Sequence, residues 1–354
     1  SNNTSQIIPL FSMLSYQKID DPSLLNENNY DSLSPFWQLV YDSRDFISKV
    51  LIDQNSLIDS SFKFMKPVVH TLSFDFRVKY FKNFVRELLN ALHRTVLVRR
   101  ENILEDSFKA VMSLSPHEFL GHLFVTFVDE RGVDAGGLLR DWFTSLTNAL
   151  FNENYALFIS SKVRNTFLPN PNSCVNSNHL SYFEFAGRVI ARAIVEQINI
   201  EPHLALALRK KLLGVDLSIE DIEEFDPDLY GSLKWILEND LSLNPDFEIY
   251  FTADSDNIGQ HETHELIENG SKILVTNENK EFFVYKTVEY RTDIEIRDQV
   301  SAFCKGFFDI IPKNKIGIFN PEELDRIICG EPFIDVNDWE RNCNFTGDFS
   351  INHP

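Results

Sequence analysis

NPNSCVNSNHLSYFEFAGRVIARAI, residues 170–194, is the stretch on which the reading of the fold turns. From Phe185 to Ile198 its spacing predicts a buried helix, with Val189, Ala193 and Ile194 facing one way and Arg188 and Arg192 another. Upstream, Leu138 to Phe151 keeps the same period, with Leu139, Trp142, Phe143, Leu146 and Leu150 on the buried side. A glycine-containing turn at 132–137 separates that helix from the apolar run Leu123–Val128, expected as a strand. Earlier still, Phe74, Val78, Phe81, Val85 and Leu88 fall on one helical stripe. Residues 7 to about 90 therefore read as helices with polar joints, packed on the domain after them. Downstream, composition changes at Val215: through Asn257 there are 13 Asp or Glu and a single lysine, Lys234. Within that window Phe247–Phe251 alternates like a strand. A helix is expected from near Asn277 through Phe282, and Ser301–Ile311 and Glu322–Ile328 read as closing helices. The implied fold class is α+β, mainly α-helical: a large helical unit with a smaller α+β unit inserted near 215–290.

Bulk properties narrow the function. A length of 354 residues accommodates two or three compact units, and 43% hydrophobic content with 31 Phe argues for a globular chain. The balance of 33 Lys+Arg against 53 Asp+Glu, net −20, disfavours nucleic acid and anionic membranes as partners. No apolar run is long enough to span a bilayer, and no charged-then-apolar leader is seen. Cys174, Cys304, Cys329 and Cys343 lack framework spacing, which points to a reducing compartment: the cytoplasm first, with the nucleus also open.

Six segments then carry a family resemblance: VRRENILEDSF at 98–108, GVDAGGLLRDW at 132–142, residues 170–194 above, LYGSLKWILENDL at 229–241, ILVTNENKEFF at 273–283 and ICGEPFIDVNDW at 328–339. In this order and spacing they resemble the amino-terminal lobe of the HECT family of ubiquitin ligases. The resemblance covers about 74–354 and leaves 1–73 as a helical N-terminal extension; 163–169 and 201–209 are only loosely family-like. It implies a large subdomain at about 74–214 and 291–354, and a small subdomain at about 215–290 that binds the conjugating enzyme. It also implies that the carboxy-terminal catalytic lobe is absent and would begin past Pro354. The parent protein is then expected to be a ubiquitin transferase, and this fragment inactive alone.

Other motifs have plainer readings. Gly132–Gly137 lacks the Gly-Lys-Ser/Thr ending of a phosphate cradle and reads as a tight turn before a helix. His261-Glu262-Thr263-His264-Glu265 has its second histidine one residue short of zinc-protease spacing and reads as a solvated loop between strand segments. His179 and His203 are lone histidines, ordinarily structural. No metal or cofactor is expected. HECT chemistry needs a thiolate, which is nucleophilic near neutral pH and forms thioesters that amines can attack. The family's nucleophile sits in a Thr-Cys-Phe type context. None of the four cysteines has it, and the apolar flank of Cys329 suits a buried thiol.

What remains is recruitment. In the family a groove on the small subdomain takes a phenylalanine of the conjugating enzyme. Carried over position by position, that groove implies Leu229, Leu233, Phe247, Ile249 and Phe282. Leu229 and Leu233 lie one helical turn apart and share a face; Phe247 and Ile249 share a strand face. Periodicity alone suits subdomain core as well as it suits a groove. The acidic window would steer a partner with basic contact residues. The expected partners are a ubiquitin-conjugating enzyme, ubiquitin and protein substrates, with self-association through helices at 30–70 also open. The alternative is a non-catalytic module that holds ubiquitin, a substrate or another copy of itself. A small-molecule enzyme would need a convergent catalytic set, and none is found.

Overall fold

The computed structural model describes residues 35–130, 137–161, 166–243, 248–257 and 260–331. The described chain opens with α1 (Pro35–Asp42) and α2 (Arg44–Asp53), then two 3-10 stretches, Asn55–Asp59 and Lys63–Thr71. Helix α3 (Phe74–Leu88) has two apolar faces. Phe76 enters a cluster with Trp37, Val40, Leu51, Met65 and Val69, while Phe81 and Val85 enter the main core. The buried Arg77 on the same helix forms a two-pronged ion pair with Glu323 and donates to the Ile318 carbonyl at 2.7 Å. One guanidinium thereby ties the first helices to the last one, with its charge matched and its donors used.

β1 (His93–Val98), α4 (Ile103–Met112) and β2 (His122–Phe127) come next, the strands pairing in parallel from His93↔His122 to Val98↔Phe127. Then come α5 (Gly137–Leu150), β3 (Phe158–Ser160), β4 (Thr166–Pro169), α6 (His179–Val195), β5 (His203–Leu204) and α7 (Leu206–Leu213). β3, β4 and β5 form a small mixed sheet. α8 (Pro227–Glu238), the antiparallel hairpin β6 (Thr252–Asn257) and β7 (Gln260–Glu265), and α9 (Lys280–Glu289) make a separate unit. α10 (Arg297–Ile310) and α11 (Pro321–Cys329) return to the large one. No described helix is long and apolar enough to cross a membrane.

The centre is the pair α6 and α10. Gly187 on α6 and Gly306 on α10 let the two backbones touch: a Cβ on Gly306 would lie 1.8 Å from the Glu184 carbonyl oxygen, and one on Gly187 2.0 Å from that of Phe303. The two arginines of α6 are engaged differently, Arg192 with the 119–121 backbone and Arg188 with α10. Arg192, fully buried, donates to the carbonyls of Phe119 and Gly121 at 2.7 and 2.8 Å and pairs with Glu196. Arg188 pairs with Asp309 at 2.7 Å. Both therefore satisfy carbonyls or carboxylates that burial would otherwise orphan.

The hydrophobic side chains gather in three clusters: the small one under α1–α3, the main one around α6 and α10, and a third between α8 and α9. Leu217 and Phe225 touch both the main and the third cluster. Several sequence expectations need correction. His261–Glu265 is not a loop but belongs to β7, paired with β6 through Asp254↔Thr263 and Ala253↔His264. The hairpin is polar on both faces, so it has no hydrophobic alternation to reveal it. Residues 248–251 run extended but make only an isolated bridge, Tyr250↔Leu274, and the ladder starts at Thr252. The helix expected at Asn277–Phe282 begins at Lys280 and continues to Glu289. Residues 7–34 and most of the 132–137 turn lie outside the described residues.

Candidate functional site

α8 begins where Pro227 occupies the first turn and the Asp226 carboxylate accepts from the Leu229 N–H at 3.0 Å. Its positions 229, 233 and 236 point inward, so Leu233 and Ile236 join Ile222, Leu241, Phe251, Phe283, Val284 and Val288 in the third core. Positions 228, 232 and 235 fall on the other side. Asp228, Ser232 and Trp235, with Pro227, Gly231, Ile236 and Ile249, line an open cleft of about 670 Å³. Gly231 contributes to that opening, since nothing lies within 4 Å of where its Cβ would be.

The segment carrying Ile249 is held by backbone bonds to 273–275: Val275 N–H donates to Ile249 O at 2.8 Å and Phe251 N–H to Ile273 O at 3.2 Å. The buried ring of Phe251 meets Phe283 edge-on at 5.4 Å and Phe282 at 5.9 Å. Consecutive helix positions are about 100° apart, so Phe283 goes inward and Phe282 stays out. Phe282 is 48% exposed, Tyr285 56%, and Leu274 and Tyr250 add to the apolar surface of this unit. A larger cavity, about 750 Å³, separates the two units. Among its lining residues Arg291 pairs with Glu295 at 3.1 Å and donates to the Asp254 carbonyl, and His264 Nε2 meets the Ser255 hydroxyl at 2.9 Å.

Of the five expected site residues, Ile249 lines the cleft, and Phe282 is exposed with its ring against Phe251. Leu229 is half-buried against the third core, and Leu233 is 2% exposed within it. Phe247 lies outside the described residues. Sequence reasoning missed Trp235 and Gly231. The available signal was a tryptophan in register with Asp228 and Ser232, an aromatic on the polar face of an amphipathic helix.

The surface of this unit is acidic. Asp228, which lines the cleft, and Glu238, Asp240, Glu248, Glu278 and Glu281 are all exposed. Ser242 and Asn277 donate to the Asp240 carboxylate and hold its pKa below the ordinary value, so it stays charged. Elsewhere, burial pushes the Cys304 thiol up to about 11. Burial, reinforced by the neighbouring Asp325 carboxylate, pushes Cys329 higher still. Neither is a thiolate near neutral pH. Cys174 is exposed, and Cys343 lies outside the described residues.

Comparison with known proteins agrees with this architecture. The family model described as "HECT-domain (ubiquitin-transferase)" matches residues 144–354, more than half of the sequence. The chain belongs to the HECT family. Its mainly helical α+β fold fits a HECT amino-terminal lobe. The lobe is 36% identical over 302 residues to the probable E3 ubiquitin-protein ligase TOM1 of Eremothecium gossypii, a match covering 84% of this chain and 9% of that protein. It is 36% identical over 315 residues to the E3 ubiquitin-protein ligase HUWE1 of Mus musculus, covering 88% and 7%. It is 37% identical over 260 residues to the E3 ubiquitin-protein ligase NEDD4 of Rattus norvegicus, covering 72% and 29%. The HECT chain thus spans a tenth or less of the length of TOM1 and HUWE1.

Proposed function

We propose that this HECT lobe recruits a ubiquitin-charged conjugating enzyme on the unit built by α8, the 249–251 segment and α9. The observation that carries the reading is the apolar surface there: Trp235 and Ile249 line an open cleft, and the exposed Phe282 packs on Phe251, two residues along the chain from Ile249. Exposed aromatics clustered on one small unit cost solvation unless a partner covers them. A phenylalanine-sized side chain fits the cleft volume. Residues 215–290 would be the docking subdomain, flanked by the large subdomain at 74–214 and 291–354, with 1–73 as an extension.

The transfer itself requires a thiolate that attacks the carbonyl carbon of the conjugating-enzyme thioester and releases that enzyme's thiolate; a substrate lysine amine then attacks the new thioester. Cys304 and Cys329 are unsuited to that role because burial keeps both protonated. Cys174 and Cys343 lack the family's Thr-Cys-Phe type context, so this reading assigns the nucleophile to a catalytic lobe outside these residues, and docking to the lobe described here. As part of the same proposal, we assign such work to the cytoplasm, with the nucleus as the second location.

The exposed carboxylates of this unit supply long-range attraction for a partner with basic contact residues. Stopped-flow association of the lobe with a conjugating enzyme tests docking and steering together. On raising salt from about 0.05 to 0.5 M, where the Debye length falls severalfold, the association rate should drop at least tenfold with little change in dissociation. A salt-independent association rate contradicts the steering, and no association at all contradicts the docking.

A further inference from the structure

Asp325 and Cys329 are four residues apart on α11 and share one face of that helix. The histidine of the short strand β5 meets them there: His203 Nδ1 lies 2.9 Å from one Asp325 carboxylate oxygen, and Cys329 Sγ 4.0 Å from the other. All three donor atoms lie within 4.8 Å of one another, and the Pro202 carbonyl oxygen is 3.5 Å from the sulfur. We propose that His203, Asp325 and Cys329 form a site for a borderline-soft divalent cation of the zinc type.

The donor set selects the ion. One imidazole nitrogen, one carboxylate oxygen and one sulfur suit zinc and its cobalt surrogate, and are a poor set for calcium or magnesium, which take oxygen ligands. The spacing suits it as well. A cation about 2.0–2.3 Å from each ligand separates them by roughly 3–4 Å, within small side-chain rotations of the present arrangement. The nearby Arg209 is already engaged: it donates to the carbonyls of Leu204 and Pro321 and faces Glu224 at 3.6 Å. The triad itself therefore holds one carboxylate beside a thiol, with His203 as its own basic group, and a metal ion would replace the proton on the sulfur and the one shared by His203 and Asp325. None of the three side chains is fully buried, so a fourth position opens to water or to the Pro202 carbonyl. Such a site would pin α11 to β5, joining the last described helix to the mixed sheet beside α7.

The test uses the full chain, stripped of metal under reducing conditions and titrated with Co²⁺. The expected result is one equivalent bound, with thiolate-to-cobalt charge-transfer absorption and tetrahedral visible bands, both displaced by Zn²⁺. His203→Asn, at a partly exposed position where misfolding is avoided, and Asp325→Asn should each weaken binding at least tenfold. Cys329→Ser should abolish the charge-transfer band, while Cys174→Ser should leave it. Zn²⁺ should also raise the melting temperature of the wild type and leave that of His203→Asn unchanged. Absence of the band in the wild type overturns the site, as does its persistence in His203→Asn and Asp325→Asn or its loss in Cys174→Ser.

Discussion

The same substitution, glycine to alanine inside a helix, should move the stability of this protein in opposite directions at two positions. In α10 the new Cβ of Gly306→Ala would sit 1.8 Å from the Glu184 carbonyl oxygen and 2.7 Å from its carbon. Both are backbone atoms, so no side chain can swing aside. Restoring ordinary contact requires α6 and α10 to separate by about 1.5 Å, which loosens the main core along the whole seam and should cost about 3 kcal/mol or more. In α8 the Cβ of Gly231→Ala meets nothing within 4 Å. There alanine only removes backbone freedom from the unfolded chain and should stabilise the small unit by about 0.5–1 kcal/mol. Urea unfolding followed by circular dichroism and tryptophan fluorescence measures both. A Gly306→Ala midpoint within about 1 kcal/mol of wild type would refute the close-packed seam. A less stable Gly231→Ala would refute the open helix face.

Leu233→Ala should destabilise the protein by about 2–5 kcal/mol in the same assay, because Leu233 is core and not rim; a change under about 1 kcal/mol by that scale would return it to the surface. Glu118 is held down to about 2 from an ordinary 4.5 by the Ser115 N–H, Arg94 and the Ser115 hydroxyl. A depressed carboxylate contributes stability above its unfolded pKa and loses it as pH falls toward the folded one. The stability gap between wild type and Glu118→Gln should therefore be full near pH 6 and close between about pH 5 and 2; a gap unchanged at pH 2 contradicts the assignment. In native protein, mass-spectrometric mapping of alkylation should find exposed Cys174 modified well before Cys304, whose thiol is raised to about 11. Equal rates would mean that α10 opens readily.

What the sequence discloses tracks the size of the hydrophobic signal. α5, α10 and α11 carry an apolar face over two or more turns and lie within about four residues of their expected spans, while α6, expected from Phe185, begins six residues earlier at His179. β1 was missed because its first half, His93-Arg94-Thr95, is polar, and β6 and β7 because polar residues predominate in both. The site was only partly legible for a geometric reason. Leu229 and Leu233 do share a helix face, but a shared face does not say which side is wet. The inward direction is set by Phe251 and Phe283, far away in sequence, and it leaves Trp235 rather than Leu233 on the cleft. Nothing local in the sequence marks Gly187 and Gly306 as a contact until the helices cross, and His203 looked solitary until β5 was laid against α11.

The central claim is that the small unit docks a conjugating enzyme through its exposed aromatics. The most direct measurement is an equilibrium titration of the lobe against a panel of conjugating enzymes, wild type alongside Phe282→Ala and Trp235→Ala. Phe282 leaves roughly half of its surface free, so covering it on docking removes on the order of 100 Å² of apolar area and contributes about 2 kcal/mol. The account predicts binding of selected members, weakened tenfold or more by each variant while melting temperatures stay near that of the wild type. If no member binds, or if both variants bind as tightly as wild type, the docking site is not on this unit.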